Sequence, residues 1–332
     1  MTATTEAGAE AASHARLAFA RTVERHLVHR ASVAEVFVTD SLPNGTDRFR
    51  AAAQLPLSHG YYQDHLQTPA RFDVLLLLEA ARQASTHGAH LHLDLPLNTT
   101  FLVNGWSLHL DEPDALLIGE RPGELELTET VTRTVGRGGR LRALRFDMEL
   151  AMRDRTVGRA HIEVGATTSE EYEKLRFLQR RTTAPLTSQQ TGRPGGAPVD
   201  AARVGRLNPA NVVLGEPVVR DGFVTAALSP RFDNRSLFDH VYDHYPAMVL
   251  MEAARQLSFL ALAAGDGTPA GRAVVTGVEA RFTRYAELDG PIEVTTPVAT
   301  GSGRREHEFP VTFIQDSQAI AEIGFTLRGD TE

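Results

Sequence analysis

The chain has no cysteine and only one lysine, Lys174, among its 332 residues. The absence of cysteine excludes disulfides, thiolate zinc sites, iron–sulfur clusters and cysteine nucleophiles. Lys174 lies in the segment EKLR, which is not the motif of a phosphate-binding loop, and a Schiff-base enzyme would have to use this same residue. A net charge of −8 also argues against nucleic-acid binding, because phosphate backbones favour a basic surface.

Signals for targeting and for membrane insertion are also missing. Residues 1–25 have no basic start followed by an apolar run, so we expect no signal peptide, a tail leading into a short helix, and a cytoplasmic protein. The longest apolar stretch, residues 246–264, contains Glu252, Arg255 and Gln256. Because charges at a bilayer centre cost roughly 2.5–3.5 kcal/mol each, this stretch predicts a buried helix and no membrane contact.

An internal repeat is the strongest pattern in the sequence. The segment EAARQ at residues 79–83 recurs at residues 252–256, and an apolar run precedes both copies. Upstream, DRFRAAAQLP at 47–56 matches DGFVTAALSP at 221–230. Two ordered matches at nearly the same offset indicate a duplicated domain, which also suits a chain of this length.

Each half shows the same order of predicted elements. Strands at 34–40 and 211–217 open the halves, a loop rich in histidine follows, and then comes a long apolar helix that should begin near Phe72 or Pro246. Alternating strands with glycine-bearing turns complete each half. This order predicts an α+β double hotdog, with two antiparallel sheets that each wrap a central helix and are related by a pseudo-two-fold axis. The expected boundaries are a tail at 1–25, domains at 26–168 and 200–330, and a helix and linker at 169–199.

The repeated helix carries polar side chains inside its apolar run. A buried carboxylate needs a partner or a raised pKa, so each glutamate is either a general base or one half of an ion pair with the arginine three positions later. Each arginine could hold a phosphate or could neutralise its glutamate. Each glutamine is expected to form hydrogen bonds across the helix pair and is a candidate for substrate binding. These candidates are Glu79, Arg82, Gln83, Glu252, Arg255 and Gln256.

Histidines and arginines around the helices add further candidates. His240 and His244 precede the second helix and could act as base, acid or substrate orienter, or could simply bond within the loop. Arg281 and Arg284 follow that helix and are substrate-binding candidates that could contact the phosphate, although at most one of them should point inward. The H-x-x-H-x-H run at residues 87–92 is better explained by a helix end than by a metal, and no metal site is predicted.

The loop and helix at residues 240–256, HVYDHYPAMVLMEAARQ, resemble those of hotdog acyl-carrier dehydratases. The dehydratase histidine lies fourteen positions before its glutamate, however, and Phe238 stands there in this chain. Over nearly its whole length the chain is more similar to the A-factor biosynthesis hotdog family, the γ-butyrolactone signalling-molecule synthases of streptomycetes and their relatives. The features that carry this resemblance are the duplicated hotdog, the Arg three positions after each Glu, and the loop HGYY that begins at His59.

The resemblance implies a reaction and its partners. A β-ketoacyl group would move from acyl carrier protein to the hydroxyl of dihydroxyacetone phosphate, and the ester would cyclise to a butenolide phosphate, without a cofactor. The resemblance also makes His59 a substrate-binding candidate. Two alternatives remain open: an enoyl-thioester dehydratase or hydratase, and a non-catalytic module that binds acyl chains or a carrier. The chain could be a monomeric pseudo-dimer or a homodimer.

We expect the second half to carry the chemistry. Pro246 at the start of its helix leaves backbone N–H groups free for a thioester carbonyl. Asp73 occupies the matching position in the first half, where an aspartate would cap the helix and occupy those groups. On this hypothesis Glu252 and Arg255 act directly, and the first half lends His59 or Glu79 to the same site.

Overall fold

Twelve antiparallel strands form one continuous sheet in a computed structural model that describes residues 16–300 and 306–329. The strands of the first half are β1 (Val38–Pro43), β2 (Arg48–Leu55), β3 (Thr100–Leu110), β4 (Gly123–Val135), β5 (Leu141–Met152) and β6 (Arg155–Thr167). Those of the second half are β7 (Val218–Arg220), β8 (Phe223–Ala227), β9 (Ala273–Phe282), β10 (Glu293–Pro297), β11 (Glu306–Gln315) and β12 (Gln318–Gly329). The α-helices are α1 (Val74–Leu91), α2 (Ser169–Arg180) and α3 (Ala247–Asp266).

The order of the strands shows the duplication directly. From the middle of the sheet outward, the first half runs β3-β6-β5-β4-β2-β1 and the second runs β9-β12-β11-β10-β8-β7. The equivalent strands β3 and β9 pair antiparallel across the centre, with Leu108 opposite Val278. Antiparallel pairing of equivalent strands is what a two-fold axis through the sheet produces. The two predicted sheets are therefore halves of one sheet.

The two long helices form the core of their own halves. Helix α1 packs on β1, β2, β4 and β6, while α3 packs on β8, β10, β11 and β12. Gly88 allows the closest approach, because a Cβ there would lie 2.1 Å from the ring of Phe49 on β2. Helix α3 is long and apolar enough to cross a membrane, but 83% of its apolar window is buried inside the protein. It is thus a core helix, as the sequence predicts.

The helix starts match the sequence closely and differ from each other as expected. Asp73 caps α1, since its Oδ1 accepts from the N–H of Leu75 at 2.8 Å. Pro246 precedes α3 and provides no side-chain cap. The proline therefore leaves the first turn of α3 without a side-chain acceptor, whereas the first turn of α1 has one.

Several local predictions need correction. The strand expected at 34–40 is a 3₁₀ turn, Val33–Glu35, followed by β1, and the one expected at 211–217 forms isolated bridges before β7. The expected N-terminal helix falls partly in residues 1–15, which lie outside the described residues, and residues 16–24 are not helical. The hairpin turns at 44–47 and 136–140 and the interdomain helix are confirmed. The domain boundaries stay a prediction.

Candidate functional site

The first repeat holds its glutamate in a compact group of charges, called cluster one: Arg30, Glu79, Arg82 and Gln83. Glu79 is fully buried. Arg82 donates to it from Nε at 2.9 Å and from Nη2 at 2.8 Å, Arg30 donates from Nε at 3.0 Å, and Gln83 from Nε2 at 2.7 Å. Burial opposes ionisation, but the two arginines outweigh it and lower the pKa of Glu79 to about 2. Glu79 is thus a fixed anion rather than a base ready to take a proton.

The second repeat builds the equivalent group, called cluster two: Arg206, Glu252, Arg255 and Gln256. Glu252 is also fully buried. It accepts from Arg206 Nε at 2.9 Å, from Arg255 Nη2 at 2.5 Å and from Gln256 Nε2 at 2.5 Å. The hydroxyl of Tyr61, which belongs to the first half, donates to it at 2.9 Å. The buried carboxylate of Glu252 therefore accepts hydrogen bonds from four side chains.

The glutamines show how closely the clusters correspond. Gln83 accepts from the N–H of Phe37 at 2.8 Å, and Gln256 accepts from the N–H of Val213 at 3.0 Å. Each glutamine also donates to a backbone carbonyl of the same segment. Gln83 donates to the carbonyl of Glu35, and Gln256 donates to the carbonyl of Asn211. Both amides therefore tie the central helix to the segment that precedes the sheet, and neither contacts the large cleft described below.

Arg30 and Arg206 were not identified from the sequence, although a signal for them exists. The segment VHRASVAEV at residues 28–36 matches VGRLNPANV at residues 204–212 in four of nine positions, including the arginine. This extends the repeat upstream at an offset of 176 (30 to 206), slightly different from the offset of the helices. Because an insertion changes the offset, the match is easily overlooked.

A large cleft lies between the halves and reaches only cluster one. Its volume is about 830 Å³, and its lining includes Arg30 and Arg82 from the first half. The second half contributes its loop 240–245 and the start of α3, with Ala247 and Met248. The wall also includes apolar side chains from both halves, among them Phe101, Leu102, Val103, Trp106, Leu250 and Phe282. The cleft thus joins the arginines of one repeat to the loop and helix start of the other.

The corresponding space beside cluster two is closed. Arg255 and Arg206 line a cavity of only about 40 Å³, and Asp73 reaches into it. Asp73 Oδ1 lies 2.6 Å from Arg255 Nη1 and is the same atom that caps α1. These charges lower the pKa of Asp73 despite its burial and raise that of Arg255. The carboxylate of Asp73 therefore forms the ion pair with Arg255 that a bound anion would otherwise form.

His244 has the environment of an oriented histidine. Its Nδ1 lies 2.6 Å from Asp243 Oδ1, and its ring lines the cleft with about a quarter of its surface exposed. A carboxylate acceptor at Nδ1 fixes the tautomer that leaves Nε2 free to accept a proton. Burial opposes ionisation of Asp243, but His244 and its other donors hold the pKa of that carboxyl well below its ordinary value.

His240 also lines the cleft, but it is less firmly held. Its Nδ1 lies 3.4 Å from Asp239, and its ring packs on Tyr242 at a centroid distance of 4.0 Å. Asp239 mainly accepts from the N–H groups of Ala31 and Ser32. Asp239 thereby fixes this loop to the segment that carries Arg30.

The remaining predicted residues are distributed around the fold. Arg284 lines the cleft, whereas Arg281 lies on β9 outside the lining, so one of the two points inward as expected. His59 accepts from the N–H groups of Tyr61 and Tyr62 at 3.2 Å and lies 3.4 Å from Glu35, away from the cleft. Among the described residues no three metal-binding side chains converge.

One sheet wrapped around two central helices, with a cleft where the halves meet, defines a double-hotdog protein. Two solved structures share this fold at a TM-score of 0.50. One is a putative thioesterase from Novosphingobium aromaticivorans, 16% identical, covering 85% of this chain and 96% of that one. The other is a polyketide dehydratase domain from Brevibacillus brevis, 13% identical, covering 86% and 95%. At these identities they show the fold alone.

Sequence relatives define the family. The profile of the A-factor biosynthesis hotdog domain matches residues 11–168 and 187–329. A 2-oxo-3-(phosphooxy)propyl 3-oxoalkanoate synthase of Streptomyces virginiae is 31% identical over 94% of this chain and 99% of the relative. An enzyme of the same name from Streptomyces coelicolor is 30% identical over 89% and 88%. The chain belongs to the A-factor biosynthesis hotdog family.

Proposed function

We propose that this protein is an acyltransferase that joins a 3-oxoacyl group, delivered as a thioester on acyl carrier protein, to the hydroxyl of dihydroxyacetone phosphate. The product would be the phosphorylated 3-oxo ester that the names of the relatives describe. The observation that supports this most is the cleft itself, because it combines paired arginines, an oriented histidine and an uncapped helix start. The arginines would bind the phosphate, the histidine would accept the hydroxyl proton, and the helix start would donate to the thioester carbonyl.

The phosphate would bind at Arg30 and Arg82. Both guanidiniums use Nε and Nη2 to hold Glu79, which fixes their planes and leaves Nη1 of Arg82 for a ligand. Arg30 Nη1 also lies 3.8 Å from Asp239 Oδ2, so the two arginines are matched by two carboxylates. The phosphate would therefore be held by directed hydrogen bonds rather than by an excess of positive charge. Glu79 therefore acts by positioning the arginines, in place of the general-base role that the sequence suggests.

His244 would be the general base of the transfer. Its Nε2 takes the proton of the attacking hydroxyl while the hydroxyl oxygen forms a bond to the thioester carbonyl carbon. The carbon–sulfur bond then breaks, and the proton passes from His244 to the departing thiolate. Asp243 stabilises the imidazolium between these steps.

The start of α3 would stabilise the charge on the carbonyl oxygen. Ala247 and Met248 line the cleft in the first turn of a helix that has no side-chain cap. Their N–H groups and the positive end of the helix dipole favour a developing oxyanion. The apolar wall that includes Trp106 and Phe282 would take the acyl chain.

We infer one active site in each chain. All the residues assigned above come from a single chain, and the second cluster is closed by Asp73. This makes a monomeric pseudo-dimer sufficient for activity. We place the enzyme and both of its substrates in the cytoplasm.

A direct assay tests the proposal. Purified protein is mixed with a 3-oxoacyl carrier-protein thioester and either dihydroxyacetone phosphate or dihydroxyacetone, and products are identified by mass spectrometry. We expect a phosphorylated ester from the first mixture and little ester from the second. Equal rates with both acceptors would remove the phosphate role of the arginines. A parallel mixture contains a 3-hydroxyacyl carrier-protein thioester instead, and loss of water from it, without ester formation in the other mixtures, would favour the dehydratase alternative.

A further inference from the structure

The interdomain helix α2 contacts the loop that carries His244. Arg176 on this helix is 5% exposed, and its Nε donates to Asp243 Oδ2 at 2.7 Å. Its Nη2 donates to the backbone carbonyl of Asp243 at 2.8 Å. The hydroxyl of Tyr172, one helical turn earlier, donates to Asp243 Oδ1 at 2.6 Å. Two side chains of α2 thus hold both carboxylate oxygens and the carbonyl of a single residue.

Arg176 is itself fixed from its other side. Glu287, which follows β9, accepts from its Nη1 and Nη2 at 2.8 Å each, and the guanidinium lies 4.4 Å from the centre of the Tyr285 ring. A guanidinium held by two carboxylates and a ring has little freedom to turn. The position of Asp243 is therefore set by α2 rather than by its own loop.

We propose that α2 is a positioning element of the active site, in which Arg176 and Tyr172 hold Asp243 so that it orients His244 toward the cleft. This inference rests on the proposed function, because it concerns the base assigned there. It also gives the segment between the two repeats a part in the reaction.

Arg180 on the same helix provides a matched control. It donates to Glu287 at 2.7 Å and to Asp289 at 2.6 Å, so it belongs to the same ion network. The structure gives it no bond to Asp243 among the described contacts. Loss of Arg180 removes a comparable charge from α2 without releasing the carboxylate that contacts His244.

The expected change in pH dependence follows from the groups that face His244. These are Asp243 of its own loop, Tyr172 of α2, and the Tyr285 ring at 5.1 Å, with Arg176 behind them. Removal of Arg176 takes away a positive charge and leaves Asp243 with less of its charge compensated. The less compensated carboxylate of Asp243 then favours a positive charge beside it more strongly, and the acid limb of the rate profile moves to higher pH.

The experiment compares Arg176→Gln, Tyr172→Phe and Arg180→Gln in the full chain. We measure kcat for ester formation against pH, the KM for dihydroxyacetone phosphate, and thermal unfolding. Arg176→Gln should lower kcat by roughly tenfold, a part of the 10²–10⁴ that a positioned base contributes, with the acid limb shifted upward and KM unchanged. Tyr172→Phe should change the profile in the same direction by less. Arg180→Gln should unfold at lower temperature with an unchanged profile.

Two results separate failure of this inference from failure of the proposed function. If Tyr172→Phe, which keeps the ring and the charge network, has the wild-type profile while His244→Ala is inactive, α2 does not position the base. The same conclusion follows if Arg180→Gln shifts the limb as much as Arg176→Gln. Full activity in His244→Ala would instead overturn the assignment of the base itself.

Discussion

Clusters one and two share a Glu–Arg–Gln helix and an upstream arginine, yet they face different surroundings. Cluster one opens on a cleft of about 830 Å³, and cluster two on a cavity of about 40 Å³. The difference arises from the residue before each central helix, since Asp73 reaches Arg255 while Pro246 reaches nothing equivalent. The same motif can therefore bind a ligand in one half and stabilise the fold in the other.

The largest effect should come from the histidine of the open site. We predict that His244→Ala lowers kcat for ester formation by about 10²–10⁴-fold, because a positioned general base contributes this much. Initial rates of ester formation measure the effect. His161→Ala, which removes a histidine on β6 that is bonded to Asp147 on β5, is the control and should keep the wild-type rate. A fast His244→Ala enzyme would require another base.

A substitution in cluster two should lower the free energy of unfolding rather than the catalytic rate. Arg255→Ala leaves Glu252 and Asp73 buried without their shared partner, and removal of one member of a buried pair costs about 3–5 kcal/mol. Urea unfolding should show this loss, while the folded fraction keeps its activity. That result would reverse the sequence hypothesis that Arg255 acts in catalysis. An inactive but equally stable Arg255→Ala protein would restore that hypothesis.

Unlike Arg255→Ala, Arg82→Gln should lower activity and leave stability largely unchanged. Glu79 keeps Arg30 and Gln83, so the fold survives, but the phosphate loses one charged donor. A hydrogen bond to a charged group contributes about 1.5–3 kcal/mol, so kcat/KM for dihydroxyacetone phosphate should fall roughly 10- to 100-fold. The rate with dihydroxyacetone should change little. Equal losses with both acceptors would show that Arg82 does not select the phosphate.

The last effect is confined to acid pH and concerns stability through Glu79. Its pKa is lowered from 4.5 to about 2, so its ionised form stabilises the folded state above pH 4.5, and this contribution is lost as the pH falls through about 2. The shift corresponds to about 3 kcal/mol. Unfolding free energies of wild type and Glu79→Gln should therefore converge between pH 5 and pH 2. A constant difference over that range would contradict the pKa assigned to Glu79.

The sequence predicts the fold well because its evidence is periodic and repeated. The two EAARQ copies, the apolar helices and the alternating strands are local patterns, and they give the double hotdog and both helix starts. The cap at Asp73 is likewise readable from one position. The strand expected at 34–40 begins later, at Val38, because Val33–Glu35 closes a 3₁₀ turn that the alternating sequence alone does not reveal.

The site was harder to predict because its parts are brought together only by tertiary structure. The sequence groups His244 with Glu252, eight positions away, but the fold places it beside the cleft that Arg82 lines, 162 positions earlier (82 to 244). Likewise, Asp73 closes a site in the other half. A repeat in the sequence indicates which residues are equivalent. It does not indicate that the arginines of one half lie beside the loop of the other half.

The covalent join between the halves has a genetic consequence. In a symmetric dimer of identical subunits, every substitution appears twice, so an aspartate that closed one site would close both and abolish activity. In the fused chain, codon 73 and codon 246 can change independently. Duplication thus allows natural selection to keep one copy for turnover while the other accumulates changes that favour rigidity.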